Sequence, residues 1–243
     1  MLIFSSFKSS TRNKAMQTLG LYLFFISVLF PFTAHSDQVN SQDSAASEYK
    51  LLVLGDSLAA AYGLTAEQGW VYLLQEHWNK ELQPIEVVNA AISGDTTDGG
   101  LARLPRLLDF HQPTHLYIEL GGNNGLQGHN PSKIKDNLAK MIELAEASNI
   151  EVILQEIQIP TNYGRRYTEL FTQNYHQLAA EYDVPLIPFF LQDIALDTSL
   201  MQNDGIHPTA EAQPMIVDFI APKLIPLIIT QVPTQALQTE SES

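Results

Sequence analysis

The sequence predicts a three-layer α/β domain built on a five-stranded parallel sheet. Short apolar runs alternate along the chain with longer stretches whose apolar residues recur at helical spacing. Strictly alternating strands and helices require crossover connections, which make neighbouring strands parallel and cover both faces of the sheet. The composition is 45% hydrophobic and 16% charged, which supplies enough apolar material for a sizeable core.

Each predicted strand is a short apolar run that a turn-forming residue or a polar loop closes. Runs of this kind are typical of buried strands. In chain order the predicted strands are Leu51–Leu54, Glu86–Asn89, His115–Leu120, Glu151–Leu154 and Leu186–Phe189.

Each predicted helix carries its apolar residues on one face, at spacings of three and four. The final helix is expected to kink at Pro214 and Pro222, because proline removes a backbone donor. The predicted helices are Trp70–Trp78, Leu101–Phe110, Ile134–Ala145, Tyr167–Leu178 and a last one from about Thr209.

The first 36 residues have the pattern of a secretory signal peptide. Basic residues precede the apolar run Leu19–Phe32, and Ala34-His35-Ser36 then offers small residues at a cleavage site. A membrane anchor is the alternative, but 14 apolar residues fall short of the roughly 20 that span a bilayer. We therefore expect cleavage after Ser36, export to the periplasm, with secretion as the alternative, and no stable membrane anchor.

The rest of the chain divides into a domain and two polar ends. Residues 37–48 are a polar lead-in, residues 49–229 form the predicted domain, and residues 230–243, rich in Gln, Thr and Ser, are predicted to be disordered. The net charge of −14 disfavours nucleic acid and anionic lipid as partners. The absence of cysteine excludes disulfides, a thiolate nucleophile and thiolate metal sites.

Polar residues with chemical potential follow four of the predicted strands. Ser57 follows the first strand, Gly94 the second and Asn123 the third, and Asp204 and His207 follow the fifth. Each segment alone also suits a helix cap, a turn or a structural histidine. The carboxyl ends of parallel strands share one edge of the sheet, so these residues are expected to meet there.

Together these residues would supply the parts of a serine hydrolase. A hydroxyl, an imidazole and a carboxylate provide a nucleophile, a base and a group that orients the base. The backbone N–H groups of Ser57 and Gly94 and the side-chain amide of Asn123 provide three donors for an oxyanion.

The four segments, in this order, resemble the sequence blocks of the SGNH (GDSL-type) hydrolase family. The blocks are Gly-Asp-Ser-Leu at 55–58, the glycine in Ser-Gly-Asp-Thr at 93–96, Gly-Gly-Asn at 121–123 and Asp-Gly-Ile-His-Pro at 204–208. With GGLARL at 99–104 and NYGRRY at 162–167, the chain is similar to the periplasmic thioesterase and arylesterase branch of that family. The resemblance covers about Leu51 to Ile228.

The resemblance implies a flavodoxin-like fold and a set of roles. Ser57 would be the nucleophile, His207 the general base and Asp204 its orienting partner, with the oxyanion hole as above. Substrate-binding residues would come from Asn124, within a mobile loop at 124–129, and from Ile159 and Pro160, within a wall at 157–163. The family usually has Asp where this chain has Asn124.

The activity implied is hydrolysis of acyl esters and thioesters, including aryl esters and lysophospholipids, through an acyl-enzyme. No cofactor or metal is expected, and His111 and His115, the only histidine pair four residues apart, are interpreted as structural. The expected substrates are small acyl esters or thioesters, and the protein is expected to be a monomer. The alternatives are a carbohydrate O-deacetylase or acyltransferase on the same fold, or a non-catalytic binding protein.

Overall fold

The computed structural model describes residues 47–229. Its five strands are β1 (Tyr49–Gly55), β2 (Ile85–Asn89), β3 (His115–Glu119), β4 (Glu151–Gln155) and β5 (Leu186–Ile187). They form one sheet in the order β2-β1-β3-β4-β5, and every neighbouring pair is parallel. The predicted α/β class with a five-stranded parallel sheet is therefore confirmed.

The predicted signal peptide, nearly all of the lead-in and the C-terminal tail lie outside the described residues. Within residues 47–229, no helix is both long enough and apolar enough to cross a membrane.

Six helices within the described residues cover the two faces of the sheet. They are α1 (Trp70–Lys80), α2 (Thr97–His111), α3 (Gly122–Leu126), α4 (Pro131–Glu146), α5 (Arg165–Tyr182) and α6 (Gln213–Ile228). Helices α1 and α6 share a core with one face, and α2, α4 and α5 share a core with the other. Successive strand residues alternate between these cores, and all of 51–54 are fully buried. The unbroken apolar run follows from burial on both faces.

Helix α2 begins four residues earlier than the pattern predicts. The Thr96 side chain accepts a hydrogen bond from the Gly99 N–H (3.4 Å) and caps the helix. Two glycines in the first turn conceal the helix in the sequence, because glycine is a poor helix former. Packing explains the glycine at position 100, because an added Cβ would lie 2.3 Å from the side chain of Leu120.

Prolines explain two other differences from the expected boundaries. β5 ends at Ile187 rather than Phe189, because Pro188 has no N–H to donate to a ladder. Helix α6 begins at Gln213 after a single 3₁₀ turn, so Pro214 falls in the first turn, where no intrahelical donor is lost. Pro222 lies inside the helix, and the kink expected there stays a prediction.

The strand order creates a crevice between β1 and β3. From β1 the chain continues to α1 on one face of the sheet, and from β3 it continues to α3 and α4 on the other. Connections that leave neighbouring strands toward opposite faces open a gap at their carboxyl ends, where ligands bind in such folds. Ser57 and Asn123 follow these two strands and flank the crevice.

Candidate active site

Ser57 lies in a tight turn directly after β1. The Asp56 carboxylate accepts the Leu58 N–H (3.2 Å), and the Asp56 carbonyl accepts the Ala60 N–H (2.9 Å). The turn needs glycine at position 55, because an added Cβ would come within 2.7 Å of both the Ala59 Cβ and a Glu119 oxygen. These bonds stabilise a turn that leaves Ser57 half-buried at the strand end.

Three of the predicted residues form a continuous hydrogen-bonded chain. His207 Nε2 lies 2.8 Å from Ser57 Oγ, and His207 Nδ1 lies 2.7 Å from Asp204 Oδ2. The imidazole can therefore take a proton from the hydroxyl while the carboxylate fixes its orientation.

The Asp204 carboxylate is held in its charged form. Burial alone would raise the pKa of Asp204, but hydrogen bonds from the His207 side chain and from the N–H groups of Ile206 and His207 lower it to about 2. These two backbone bonds, both to Oδ1, measure 2.9 and 3.0 Å. At neutral pH the group beside the imidazole is consequently an anion that stabilises a positive charge on the ring.

A closed segment from Met201 to Pro208 places Asp204 and His207 side by side. Met201 and Pro208 form an antiparallel bridge, and the Gln202 N–H donates to the His207 carbonyl (2.7 Å). Gly205 has φ +68°, a left-handed conformation that glycine adopts at little cost. Asp204 and His207, three residues apart in the sequence, are thus held rigidly next to each other.

The predicted oxyanion donors lie around the same crevice. Asn123 Nδ2 donates to the Asp95 carbonyl (2.9 Å) and to Asp56 Oδ2 (3.2 Å). To donate to an oxyanion, the Asn123 amide must therefore give up one of these two hydrogen bonds. The bond to Asp56 is the longer and hence the weaker of the two. Gly94 has φ +81°, and its N–H has no acceptor among residues 47–229.

An arginine holds the loop that carries Gly94. Arg103 Nε forms an ion pair with Asp95 Oδ2 at 2.8 Å, and another guanidinium nitrogen donates to the Ala90 carbonyl. Both ends of the loop 90–95 are thereby tied to α2. The ion pair is largely buried, so solvent screens it less than a surface pair.

Two buried acids, Asp56 and Glu119, lie at the turn that carries Ser57, and the sequence motifs predict a catalytic role for neither. Glu119 is fully buried; its Oε2 accepts the Asp56 N–H (3.3 Å), and its Oε1 has no partner among the described residues. Burial raises the pKa of Glu119 well above its usual range, and the charge of Asp56 raises it further. Burial also raises the pKa of Asp56, to about 6, although the Leu58 N–H opposes the shift.

An apolar cavity of about 470 Å³ opens beside Ser57. Ile159 and Pro160 line it, as the resemblance implies. Asn123 also lines it, together with Ser57. The apolar lining comes largely from Leu126, Ile157, Phe189, Leu191, Leu196 and Met201.

Asn124 lies elsewhere, and its expected place on the substrate-binding surface is corrected. The residue belongs to α3, is 1% exposed and is not part of the cavity wall. Its Oδ1 accepts the Thr97 N–H (2.8 Å) at the start of α2, and its Nδ2 lies 3.0 Å from His129 Nδ1. Asn124 therefore connects two helices and a loop behind the cavity.

The segment expected to be a loop at 124–129 is partly helical and tied down by two tyrosines. Tyr163 Oη donates to the Leu126 carbonyl (2.8 Å), and Tyr167 Oη donates to the His129 carbonyl (2.6 Å). Both tyrosines come from the NYGRRY motif, so this motif supports one wall of the cavity from behind.

The fold and the site define a class of protein, a serine hydrolase on a parallel α/β sheet. Residues 53–213 match the GDSL-like Lipase/Acylhydrolase family. The chain belongs to this family and is an ester-hydrolysing enzyme of the SGNH type.

Characterised proteins are similar over most of the chain. A thioesterase 1/protease 1/lysophospholipase L1 from Escherichia coli is 48% identical over 76% of this chain and 87% of its own length. An arylesterase from Vibrio mimicus is 48% identical over 76% of this chain and 92% of its own. The crystal structure of a psychrotrophic esterase, EstA, from Pseudoalteromonas sp., inhibited by monoethylphosphonate, is 44% identical with a TM-score of 0.72, covering 73% of this chain and 97% of that one.

Proposed function

We propose that this protein hydrolyses acyl esters and thioesters through a covalent acyl-enzyme on Ser57. The observation that carries the proposal is the hydrogen-bonded chain from Ser57 through His207 to Asp204, at 2.8 and 2.7 Å, beside an apolar cavity. A nucleophile, its base and the group that orients the base are thus assembled where an acyl chain can be bound.

Acylation begins when Ser57 Oγ attacks the carbonyl carbon and His207 Nε2 takes the hydroxyl proton. The carbonyl oxygen becomes an oxyanion in the tetrahedral intermediate, and the Asp204 carboxylate stabilises the imidazolium. When the intermediate collapses, the bond to the leaving group breaks and Nε2 returns the proton to the departing alcohol or thiol. The acyl group remains as an ester of Ser57.

Deacylation repeats these steps with water as the nucleophile. His207 takes a proton from the water, the hydroxide adds to the acyl carbon, and Ser57 Oγ leaves with the proton that the imidazole returns. The carboxylic acid is released and the free hydroxyl is restored. Both half-reactions form an oxyanion at the same place, so the same donors serve twice.

The donors for this oxyanion would be the N–H groups of Ser57 and Gly94 and the amide of Asn123. A developing negative charge attracts the Asn123 amide more strongly than the neutral substrate carbonyl does. The exchange of its bond to Asp56 would therefore be most favourable in the transition state, which is where stabilisation accelerates a reaction.

The cavity supports acyl chains, rather than acetyl groups alone, as the substrate. Its volume of about 470 Å³ and its wall of Leu, Ile, Phe and Met side chains exceed what an acetyl group needs. The names of the E. coli and Vibrio relatives, a thioesterase/lysophospholipase and an arylesterase, agree with this assignment.

The decisive experiment measures hydrolysis of nitrophenyl esters from acetate to palmitate. We expect activity that rises with chain length beyond acetate, together with hydrolysis of acyl-CoA. Ser57→Ala should lose nearly all of it, while Ser148→Ala, an exposed serine at the end of α4, should match the wild type. A preference for acetate alone would favour the deacetylase alternative, and full activity in Ser57→Ala would refute the proposal.

A fluorophosphonate probe identifies the nucleophile independently of turnover. Peptide mapping should place the label on Ser57 in the wild type and find none in Ser57→Ala. Label on another serine would assign the nucleophile elsewhere.

The leader motivates a proposal on location. We propose cleavage after Ser36 and release of a monomer into the periplasm of a Gram-negative host. Mass spectrometry of the exported protein should give an N-terminus at Asp37, and gel filtration should give one chain's mass. Intact Met1 in the membrane fraction would contradict cleavage.

A further inference from the structure

Tyr62 stacks against the imidazole of His207 but is absent from the wall of the acyl cavity. The ring centroids are 4.3 Å apart and the planes are inclined by 33°. Tyr62 is 50% exposed, so about half of its surface is free. Its hydroxyl makes no hydrogen bond with any residue from 47 to 229, which leaves the ring itself as the feature at this position.

The backbone around Tyr62 is specifically built. The Tyr62 N–H donates to the Ser57 carbonyl (3.1 Å), and the Tyr62 carbonyl accepts Gln202 Nε2 (2.8 Å). Ala61 has φ +57°, a conformation that costs a residue with a Cβ on the order of 1 kcal/mol or more. The ring is therefore held between the nucleophile turn and the segment that carries His207, at a local cost in strain.

The chemistry places the leaving group on this side of Ser57. His207 Nε2 must hand its proton to the departing oxygen or sulfur, so that atom lies next to the imidazole. In the proposed acyl-enzyme the acyl chain occupies the apolar cavity, which Leu126 and Ile157 line. Tyr62 instead lines a shallow depression together with Met201, Gln202 and Asp204. A leaving group that passes the imidazole therefore meets the free half of the Tyr62 ring.

We propose that Tyr62 is a specificity-determining residue that stacks against planar aromatic leaving groups and favours aryl esters over alkyl esters. This inference rests on the proposed acyl-enzyme function and adds a subsite to it. Offset or edge-to-face aromatic pairs stabilise by about 0.5–1.5 kcal/mol, which corresponds to roughly 2- to 12-fold in kcat/KM.

The test compares phenyl butyrate with trifluoroethyl butyrate, which share an acyl group and differ in the aromatic ring. In Tyr62→Leu the ratio of kcat/KM for the phenyl ester to that for the alkyl ester should fall roughly 2- to 12-fold from the wild-type ratio. Tyr62→Phe should retain the wild-type ratio, and Tyr62→Trp should retain or raise it. An unchanged ratio in Tyr62→Leu, or a lost ratio in Tyr62→Phe, would overturn the proposal.

Two further readouts separate this role from mere support of the imidazole. The rate of deacylation, measured after the burst, involves no leaving group, and the pH profile reports the state of His207. Both should match the wild type in Tyr62→Leu if the ring binds the leaving group. Slower deacylation with an equal loss for both esters would make Tyr62 a positioning residue and overturn the inference. Failure of the wild type to hydrolyse either ester would contradict the proposed function itself.

Discussion

Two groups of carboxyls lie at the same edge of the sheet, and their surroundings give them opposite tendencies. Asp204, near the surface, accepts three N–H bonds, and these lower its pKa to about 2 although burial opposes them. Asp56 and Glu119, beneath Ser57, are buried next to one another, and burial raises the pKa of both. The number of donors and the access of water, rather than the residue type, decide which carboxyl carries charge.

The largest effect is expected when Asp204, the carboxyl near the surface, loses its charge. Asp204→Asn removes the anion that stabilises the imidazolium and allows the wrong tautomer of His207. We expect kcat to fall by up to about 10⁴-fold in nitrophenyl butyrate hydrolysis. Asp109→Asn, an exposed residue near the end of α2, is the matched control and should retain activity. A loss of less than tenfold in Asp204→Asn would remove the carboxylate from the mechanism.

Asn123→Ala tests the donor that bridges the two regions. The amide contacts Asp56 in the described structure and would contact an oxyanion during the reaction. Loss of one oxyanion donor typically costs on the order of 10²–10³ in kcat. Steady-state kinetics should show this loss with little change in KM, whereas a change confined to KM would make Asn123 a residue for ground-state binding.

Asp56→Asn should change how stability depends on pH. The pKa of Asp56 rises from 3.8 to about 6 on folding, so in this window the folded state keeps a proton that the unfolded state has lost. The contribution of Asp56 to the free energy of unfolding is therefore fully present below pH 4 and is lost as pH rises through about 6.

Urea unfolding at pH 4, 5, 6 and 7 measures this dependence. Asp56→Asn should show a shallower decline from pH 4 to 6 than the wild type. Glu119→Gln should also gain relative to the wild type as pH rises, because its raised pKa has the same sign. Parallel curves for all three proteins would mean that the buried pair is charged in the folded state or equally perturbed in the unfolded chain.

The smallest effect is expected at Asn124. Asp in its place could still accept the Thr97 N–H at the start of α2, where the helix dipole favours a negative charge. It could also accept a hydrogen bond from the Nδ1–H of His129, which lies 3.0 Å from the Asn124 amide, so the buried charge would be compensated. Asn124→Asp should therefore shift kcat/KM by less than about tenfold, with an unaltered pH profile. A hundredfold change or a new ionisation would couple position 124 to the reaction.

The sequence alone predicts those site residues that follow a strand end or belong to a motif. The alternation of strands and helices predicted the sheet, and the loops after the strands contained Ser57, Gly94, Asn123 and His207. Ser57, Gly94 and Asn123 follow the neighbouring strands β1, β2 and β3, so the topology alone brings them to the crevice. His207 follows the edge strand β5 and reaches the crevice only through the closed segment 201–208.

Residues whose roles depend on partners elsewhere in the fold were not predicted. Glu119 ends an apolar strand and reads as its polar terminus, so only the packing of β1 against β3 brings it under Ser57. Asn124 is expected to bind substrate because the resemblance implies a loop at the substrate site over 124–129, yet its contacts lie with Thr97 and His129. Tyr62 and His207 lie near opposite ends of the domain sequence, and no periodic pattern in the sequence predicts that their rings are in contact.

The hydrogen bond between Ser57 and His207 joins residues that are 150 positions apart. A ribosome therefore completes the nucleophile turn long before it makes the base. Until the segment 201–208 has been synthesised and docked through Gln202, the chain holds a serine with no group to activate it. Hydrolysis of an acyl ester thus reports that the C-terminal part of the domain has folded onto the N-terminal part.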